Sequence, residues 1–379
     1  MRHLILISLL LPISTLRAGD LASVRALLHQ VVEKKTVAGG CVVILHHGNV
    51  IFEEGFGYAD VASKRPFTIN TPVIIASISK PLLGTAAFRL QEQGKINLSA
   101  PITDYLPEFS GRRLENGSPL DRPCSTIELF AHTSGIRHSE AKGGRPWFAL
   151  WTAEKPLSEV VTRYAREFPF EAQPGTRYAY SGIGTDVAAR VLEVATGQPR
   201  NELLVSAITV PLGMTQTGYR DAERLSRLEK MPTRYYHGKE GTILKSRARR
   251  VPSKNTYTSS GGAIISTAPD LIRWLMMIRN GGVHEGKRIL LEQTINHMLA
   301  ASPPSRKCKG GLSLLRQNKE GKATLVGHTG SSGTSCWIDF ETDVIAVMLT
   351  QTRGSDIRPF RLELDERIRQ AILAKLQDQ

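Results

Sequence analysis

The hydrophobic positions of this chain predict strands near its two ends. Near the start, the apolar runs at 39–45 and 50–52 flank His47-Gly48-Asn49, which is a β-hairpin signal. A helix is predicted before this hairpin, over 21–35, and another closes the chain, from about 356 to 376. Strand-like runs return ahead of that last helix, at 324–327, Thr334–Asp339 and Val344–Thr350.

Between these ends the spacing of apolar residues is helical. The predicted helices cover 82–93, 125–130, 157–168, 185–195 and 271–278. Gly94 and Gly197 directly follow two of them, and glycine is the usual residue just past a helix end.

Strands at both ends with helices between them predict an α/β (α+β) fold. We expect one antiparallel sheet, formed by the N- and C-terminal segments and flanked by helices, with an inserted all-helical lobe. The sheet lobe would cover about 20–80 and 255–379, and the helical lobe about 81–254.

The first 19 residues have the pattern of a secretory signal peptide. Arg2 and His3 precede the apolar stretch 4–11, and a small residue, Ala18, lies near the end. The mature chain, 20–379, is therefore expected to be periplasmic or secreted. It contains no second stretch of about 20 apolar residues, so we expect no integral membrane segment in the mature form.

Four cysteines could form up to two disulfides outside the cytosol, and three full pairings remain open. They are Cys41, Cys124, Cys308 and Cys336. Their spacing lacks the close pairs that sulfur-bound metal sites use, and the sequence gives no reason to expect a metal or an organic cofactor.

Composition changes the picture through charge alone. Apolar residues make up 41% and charged residues 22%, which is typical of a globular protein and excludes disordered, collagen-like and multi-span membrane chains. The 49 Lys and Arg outnumber the 35 Asp and Glu, a formal net charge of +14. Five of the cations lie between Lys245 and Lys254, but no nucleic-acid-binding motif accompanies them. We expect a solvated loop and no nucleic-acid partner, while anionic cell-envelope polymers are compatible partners.

The candidate chemistry begins with a Ser-x-x-Lys motif at Ser77 and Lys80. Residues three apart share one face of a helix, so Lys80 can lie over the Ser77 hydroxyl, and the helix N-terminus offers backbone N–H groups to an oxyanion. Pro81 is tolerated in a first helical turn and places the helix start close to Ser77. A second match, Ser139 to Lys142, runs into the loop-forming residues 143–146, and we interpret it as coincidence.

Two further motifs accompany the serine. In the segment 178–181, Tyr180 can relay a proton, and Tyr178 is its rival if the register is shifted by two. His328-Thr329-Gly330 ends a strand-like run, where a small residue would let substrate lie against the strand edge. His328 has an alternative interpretation as a buried structural histidine. The segments 132–135 and 259–270 are interpreted as packing and capping elements.

With these motifs in this order, the chain resembles the serine β-lactamase and penicillin-binding protein superfamily. The resemblance is to its class-C-like branch, which also holds D-Ala-D-Ala carboxypeptidases and esterases, and it covers nearly the whole mature chain. It implies that Ser77 is the acyl-forming nucleophile, Lys80 its helix partner and Tyr180 the second-motif tyrosine. His328, Thr329 and Gly330 match the third motif, and the implied oxyanion hole is the backbone N–H groups of Ser77 and Ser331. We expect His328 to assist catalysis through a hydrogen bond to the Ser77, Lys80 and Tyr180 group. We expect Thr329, Gly330 and Ser331 to bind substrate.

Two residues depart from the family pattern. The second motif usually reads Tyr-x-Asn, whereas Gly182 stands here and offers no side-chain donor. The third motif of most of the family's β-lactamases begins with Lys, whereas His328 is only partly cationic near neutral pH. Both departures favour esters or atypical amides over β-lactams and D-Ala-D-Ala peptides.

The sequence therefore predicts an exported serine hydrolase that acts on a small-molecule or peptide substrate through an acyl-enzyme. Carboxylesterase-like or carboxypeptidase-like activity is favoured, and β-lactamase activity is the weaker expectation. The alternative is a non-catalytic protein that retains the fold to bind peptidoglycan or a partner.

Overall fold

The core of the protein is a seven-stranded sheet that joins the two ends of the chain. Its order is β11-β12-β13-β14-β1-β2-β3, and every neighbouring pair is antiparallel. The strands are β1 (Gly39–His46), β2 (Asn49–Asp60), β3 (Arg65–Pro66), β11 (Leu314–Gln317), β12 (Ala323–Gly330), β13 (Thr334–Asp339) and β14 (Val344–Thr350). The pairing of β1 with β14 confirms the predicted sheet.

The computed structural model describes residues 21–136, 155–220, 231–246, 257–305 and 307–377. The predicted signal peptide, the second Ser-x-x-Lys match and all of the basic run except Lys245 lie outside the described residues. Within the described part of the chain, no helix is both long and apolar enough to cross a membrane.

Each face of the sheet supports its own apolar cluster. Successive side chains of a strand point to opposite faces, so Val43 and Leu45 join one cluster while Val42 and Ile44 join the other. The second cluster is covered by α1 (Ala22–Glu33) and the C-terminal helix, Arg358–Gln377. Strands β1 and β14 are therefore buried on both faces and apolar along almost their whole length, which explains why they form continuous hydrophobic runs in the sequence.

The remaining helices cover the other face and build the helical part of the molecule. They are α2 (Ser79–Glu92), α3 (Thr126–Phe130), α4 (Leu157–Glu167), α5 (Gly182–Thr196), α6 (Arg200–Leu204), α7 (Ala268–Arg279) and α8 (Glu292–Leu299), with the C-terminal helix as α9. A three-stranded sheet, in the order β4-β8-β5, consists of β4 (Val73–Ile74), β5 (Gly218–Tyr219) and β8 (Ile264–Ser266). Two small hairpins are β6 (Tyr235–His237) with β7 (Ile243–Lys245), and β9 (Val283–His284) with β10 (Lys287–Arg288).

The predicted turns and helix ends are confirmed. His47 and Gly48 both have positive φ, +50° and +77°, as a two-residue hairpin turn requires. Gly94 and Gly197 follow α2 and α5 with φ of +69° and +70°. The helix predicted from 185 begins three residues earlier, because the Ser181 hydroxyl caps it by accepting the Gly184 N–H at 2.9 Å.

The four cysteines are all buried, and none of them forms a disulfide. The cysteines therefore do not form the disulfides that an exported chain would permit, and their side chains serve as small apolar groups of the core. Burial raises the pKa of the Cys41 and Cys336 thiols to about 12, so both are held in the unreactive thiol form.

Candidate active site

Ser77 lies in a short 3₁₀ turn, Ala76–Ile78, between β4 and α2. Helix α2 begins at Ser79 with Pro81 in its first turn, which confirms the predicted helix start. Ala76 has a φ of +48°, an uncommon conformation for a residue with a Cβ atom. Local strain of this kind persists only where the surroundings hold it, so the contacts around the turn matter.

The hairpin between β12 and β13 holds this turn in place. Ser332 Oγ donates to the Ile74 carbonyl at 2.5 Å, and Thr334 Oγ1 donates to the Ile75 carbonyl at 3.0 Å. A Cβ atom on Gly330 would lie 2.5 Å from the Ile75 oxygen. The missing side chain of Gly330 therefore makes room for the backbone beside the serine.

The Ser77 hydroxyl lies between two proton-carrying side chains. Its oxygen accepts a hydrogen bond from the Tyr180 hydroxyl at 2.8 Å and a longer one from Lys80 Nζ at 3.3 Å. Lys80 is only 4% exposed, and its ammonium also donates to the Gly261 carbonyl at 2.8 Å. The same ammonium lies 4.9 Å from the centroid of the Tyr180 ring. The structure therefore brings Ser77, Lys80 and Tyr180 into one hydrogen-bonded group.

Of the two candidate tyrosines, the structure places Tyr180 beside Ser77. Tyr180 contacts Ser77, whereas Tyr178 is 36% exposed with its ring 6.0 Å from Lys307 Nζ. The His132 ring packs against Tyr180 with 4.4 Å between ring centroids, and its Nδ1 accepts the Ser181 N–H at 3.2 Å. His132, expected only to pack and cap, thus fixes the segment that carries the tyrosine.

His328 is placed differently from the prediction. We expected it to be partly cationic and hydrogen-bonded to the catalytic group. Instead it is buried, its Nδ1 donates to the Thr329 carbonyl at 2.7 Å, and its Nε2 has no hydrogen-bond partner among the described residues. Burial, together with the nearby Lys80 charge, lowers the pKa of His328 from 6.5 to about 3. His328 is therefore a neutral, buried side chain at neutral pH, as in its alternative interpretation.

This burial predicts a specific loss of stability in acid. Between pH 6.5 and about 3 the unfolded chain binds a proton at His328 that the folded chain does not, so the free energy of unfolding falls as the pH is lowered. The contribution approaches about 1.4 kcal/mol per pH unit for one proton. We expect His328→Asn to be less stable at pH 7 but to lose stability less steeply over this range in urea titrations. Parallel slopes for both proteins would contradict the assignment.

The other predicted substrate-binding residues lie where β12 meets the 3₁₀ turn that contains Ser77. Thr329 is half-buried, and Ser331 is exposed just past the strand end with its carbonyl accepting the Gly354 N–H at 2.9 Å. Gly182 is buried in the first turn of α5, so the second motif presents no amide side chain here.

Three contacts of the site were missed by sequence reasoning. They are the Gly261 carbonyl, which accepts from Lys80, and the Ser332 and Thr334 hydroxyls, which donate to the backbone just before the Ser77 turn. The position of a backbone carbonyl cannot be inferred from residue type. The only sequence signal was the glycine pair Gly261-Gly262 in the segment 259–270. The hydroxyl-rich run 329–335 was a signal that could have been read.

Comparison with known proteins agrees with this geometry. A family model described as Beta-lactamase matches residues 24–370. The chain belongs to the beta-lactamase family. Among curated family relatives, esterase EstB of Burkholderia gladioli is 28% identical over 290 residues, covering 70% of this chain and 72% of EstB. The D-alanyl-D-alanine-carboxypeptidase/endopeptidase AmpH of Escherichia coli K12 is 24% identical, covering 78% of this chain and 74% of AmpH.

Comparison with solved structures shows the same fold. EstCE1, a hydrolase with promiscuous acyltransferase activity, superposes with a TM-score of 0.77 at 24% identity, covering 94% of this chain and 99% of EstCE1. The predicted superfamily and fold class are confirmed, and the chain is a beta-lactamase-fold protein whose relatives include an esterase and a carboxypeptidase.

Proposed function

We propose that this protein is an exported serine hydrolase that cleaves esters through an acyl-enzyme on Ser77. The observation that carries the proposal is the Ser77 hydroxyl, hydrogen-bonded at once to the Tyr180 hydroxyl and the Lys80 ammonium. A serine becomes a nucleophile only beside a group that takes its proton, and both neighbours have that capacity in their basic forms. Export rests on the pattern of the first 19 residues, and N-terminal sequencing of the mature protein checks it.

The reaction proceeds in two steps. Ser77 Oγ attacks the ester carbonyl carbon while its proton passes to the Tyr180–Lys80 pair, and the resulting oxyanion faces the backbone N–H groups of Ser77 and Ser331. Tyr180 returns a proton to the leaving alcohol as the ester bond breaks. Water then attacks the acyl group on Ser77, releases the acid and restores the serine.

The close packing of two backbone segments supports this oxyanion hole. The implied donors lie on the 3₁₀ turn that contains Ser77 and just past the end of β12, and Gly330 allows these segments to touch. Donors fixed before the reaction stabilise developing charge without reorganising, which is the main source of catalysis in acyl transfer.

The residues at two motif positions, Gly182 and His328, favour ester substrates. Gly182 begins a helix and has no side-chain amide, so it lacks the donor that the family pattern places there. His328 is buried and neutral, so it lacks the positive charge that the family pattern places there. A substrate amide or carboxylate would find weaker partners at both positions. The similarity to EstB, an esterase, points the same way.

The proposal is tested with a fluorophosphonate probe and two substrates. We expect stoichiometric labelling, located on Ser77 by peptide mass spectrometry, and kcat/KM for a short p-nitrophenyl ester at least about 100-fold above that for a chromogenic cephalosporin. Faster cephalosporin turnover would replace the esterase with a β-lactamase. No labelling by fluorophosphonate or by fluorescent penicillin would refute the enzyme and leave a binding protein that retains the fold.

A further inference from the structure

Ser260 is held at all three of its polar groups by buried side chains. Its N–H donates to Asp186 Oδ1 at 2.6 Å, its hydroxyl accepts from Arg200 Nη1 at 2.6 Å, and its carbonyl accepts from the Tyr219 hydroxyl at 3.1 Å. Ser260 and Asp186 are completely buried, and Arg200 is 7% exposed. Because its N–H, hydroxyl and carbonyl groups are all hydrogen-bonded, Ser260 is held in position from three directions.

The three holding residues come from separate elements and support one another. Asp186 belongs to α5, Arg200 begins α6 and Tyr219 lies in β5. The Arg200 guanidinium lies 4.8 Å from the Tyr219 ring centroid, and its second nitrogen donates to Thr258 Oγ1 at 2.8 Å. The remaining Asp186 oxygen accepts from the Tyr257 hydroxyl at 2.5 Å. The segment 257–260 is therefore anchored to the helical part of the molecule.

The residue after Ser260 reaches the active site. Gly261 presents its carbonyl to Lys80 Nζ at 2.8 Å, and Lys80 Nζ in turn donates to Ser77 Oγ at 3.3 Å. A Cβ atom on Gly261 would lie 2.9 Å from Lys80 Nζ and 3.0 Å from Cε, so only glycine fits without displacing the lysine. A rigid path of contacts thus runs from Asp186, Arg200 and Tyr219 through Ser260 to the Lys80 ammonium.

We propose that Asp186, Arg200 and Tyr219 are positioning residues that set the reactivity of Ser77 by fixing the Gly261 carbonyl against Lys80. This inference rests on the proposed serine acyl transfer. It adds three residues that make none of the active-site contacts described above. A displacement of about 1 Å in a catalytic group can cost 10²-fold in rate. Loosening Ser260 therefore lowers the rate at which Ser77 is acylated without changing the walls of the substrate pocket.

Adjacent glycines provide a matched test of the last contact. Gly261→Ala forces the Lys80 side chain aside, whereas a Cβ atom on Gly262 meets its first neighbour, Ser259 Oγ, only at 3.8 Å. We expect the Gly261→Ala variant to react with fluorophosphonate about 100-fold more slowly than the wild-type protein, and the Gly262→Ala variant to react within about twofold of it. Equal rates for the two variants would show that the Gly261 contact does not position Lys80.

The holding residues are tested by Tyr219→Phe and Asp186→Asn, which keep size and shape. We expect each to slow fluorophosphonate labelling about tenfold and to lower kcat for the ester by a similar factor, with KM unchanged within about twofold. The matched control is Asp270→Asn. Asp270 is 2% exposed and accepts from the Gln216 N–H at 2.9 Å and the Thr217 hydroxyl at 2.8 Å. We expect this control to lower Tm comparably while the labelling rate stays at the wild-type value.

The outcomes separate this inference from the proposed function. If the wild-type protein labels on Ser77 but Tyr219→Phe and Asp186→Asn change Tm alone, as Asp270→Asn does, the residues are structural and the inference is wrong. If the wild-type protein does not label at all, the proposed function itself fails. A rise in KM with kcat unchanged would also overturn the inference, because it would place these residues in substrate binding.

Discussion

Replacing Ser77 with alanine is expected to lower kcat/KM for a short ester by about 10⁴-fold or more. The hydroxyl is the atom that both Tyr180 and Lys80 contact, so its loss removes the covalent path altogether rather than weakening one step. Thermal unfolding should change little, since Ser77 is only partly buried and alanine is tolerated in a short turn. The measurement compares initial rates with a p-nitrophenyl ester for the wild-type and Ser77→Ala proteins at the same concentration. Folding of the variant is checked first.

The second Ser-x-x-Lys match provides the control for this experiment. Ser139 precedes Lys142 with the same spacing, but the loop-forming residues 143–146 follow, and we interpret this match as coincidence. The Ser139→Ala variant should therefore retain activity within about twofold. Activity that survives in Ser77→Ala and disappears in Ser139→Ala would exchange the two assignments and overturn the proposed nucleophile.

The parts of the fold that were predictable are those in which local pattern and burial agree. The β1–β2 hairpin follows from a turn that needs two positive φ angles, and α2 follows from a proline in its first turn. The pairing of β1 with β14 joins residues about 300 positions apart in the sequence. It is predictable because strand patterns occur at both ends of the chain with helices between them.

The parts that could not be predicted depend on contacts between distant backbone groups. Nothing in residue type shows that the Gly261 carbonyl faces Lys80, which is 181 residues away in the sequence. The charge of His328 was also misjudged, because its motif was visible but its complete burial was not. Sequence motifs identify the candidate reactive side chains. Tertiary packing determines which of them are exposed to solvent, which are charged and which are fixed by hydrogen bonds.

Tyr180→Phe is expected to lower kcat/KM for the ester by about 10³-fold, which lies within the usual contribution of general acid–base catalysis. The variant removes the hydroxyl that lies 2.8 Å from Ser77 Oγ and keeps the ring that packs against His132 and Lys80. The fold and the substrate pocket should therefore persist, and the loss should appear in kcat, since proton transfer to and from the reacting atoms is what the hydroxyl supplies.

Tyr178→Phe is the matched control, because it removes the same hydroxyl from a ring two residues earlier. The Tyr178 ring is partly exposed and lies edge-on to His132, with 6.0 Å between ring centroids. We expect its activity to stay within about threefold of the wild-type value. Comparable losses in the two variants would mean that the hydroxyls act by holding the segment rather than by transferring a proton. A loss confined to Tyr180→Phe, and larger for esters with poor leaving groups, supports proton donation to the departing alcohol, because such alcohols depend most on receiving a proton as the bond breaks.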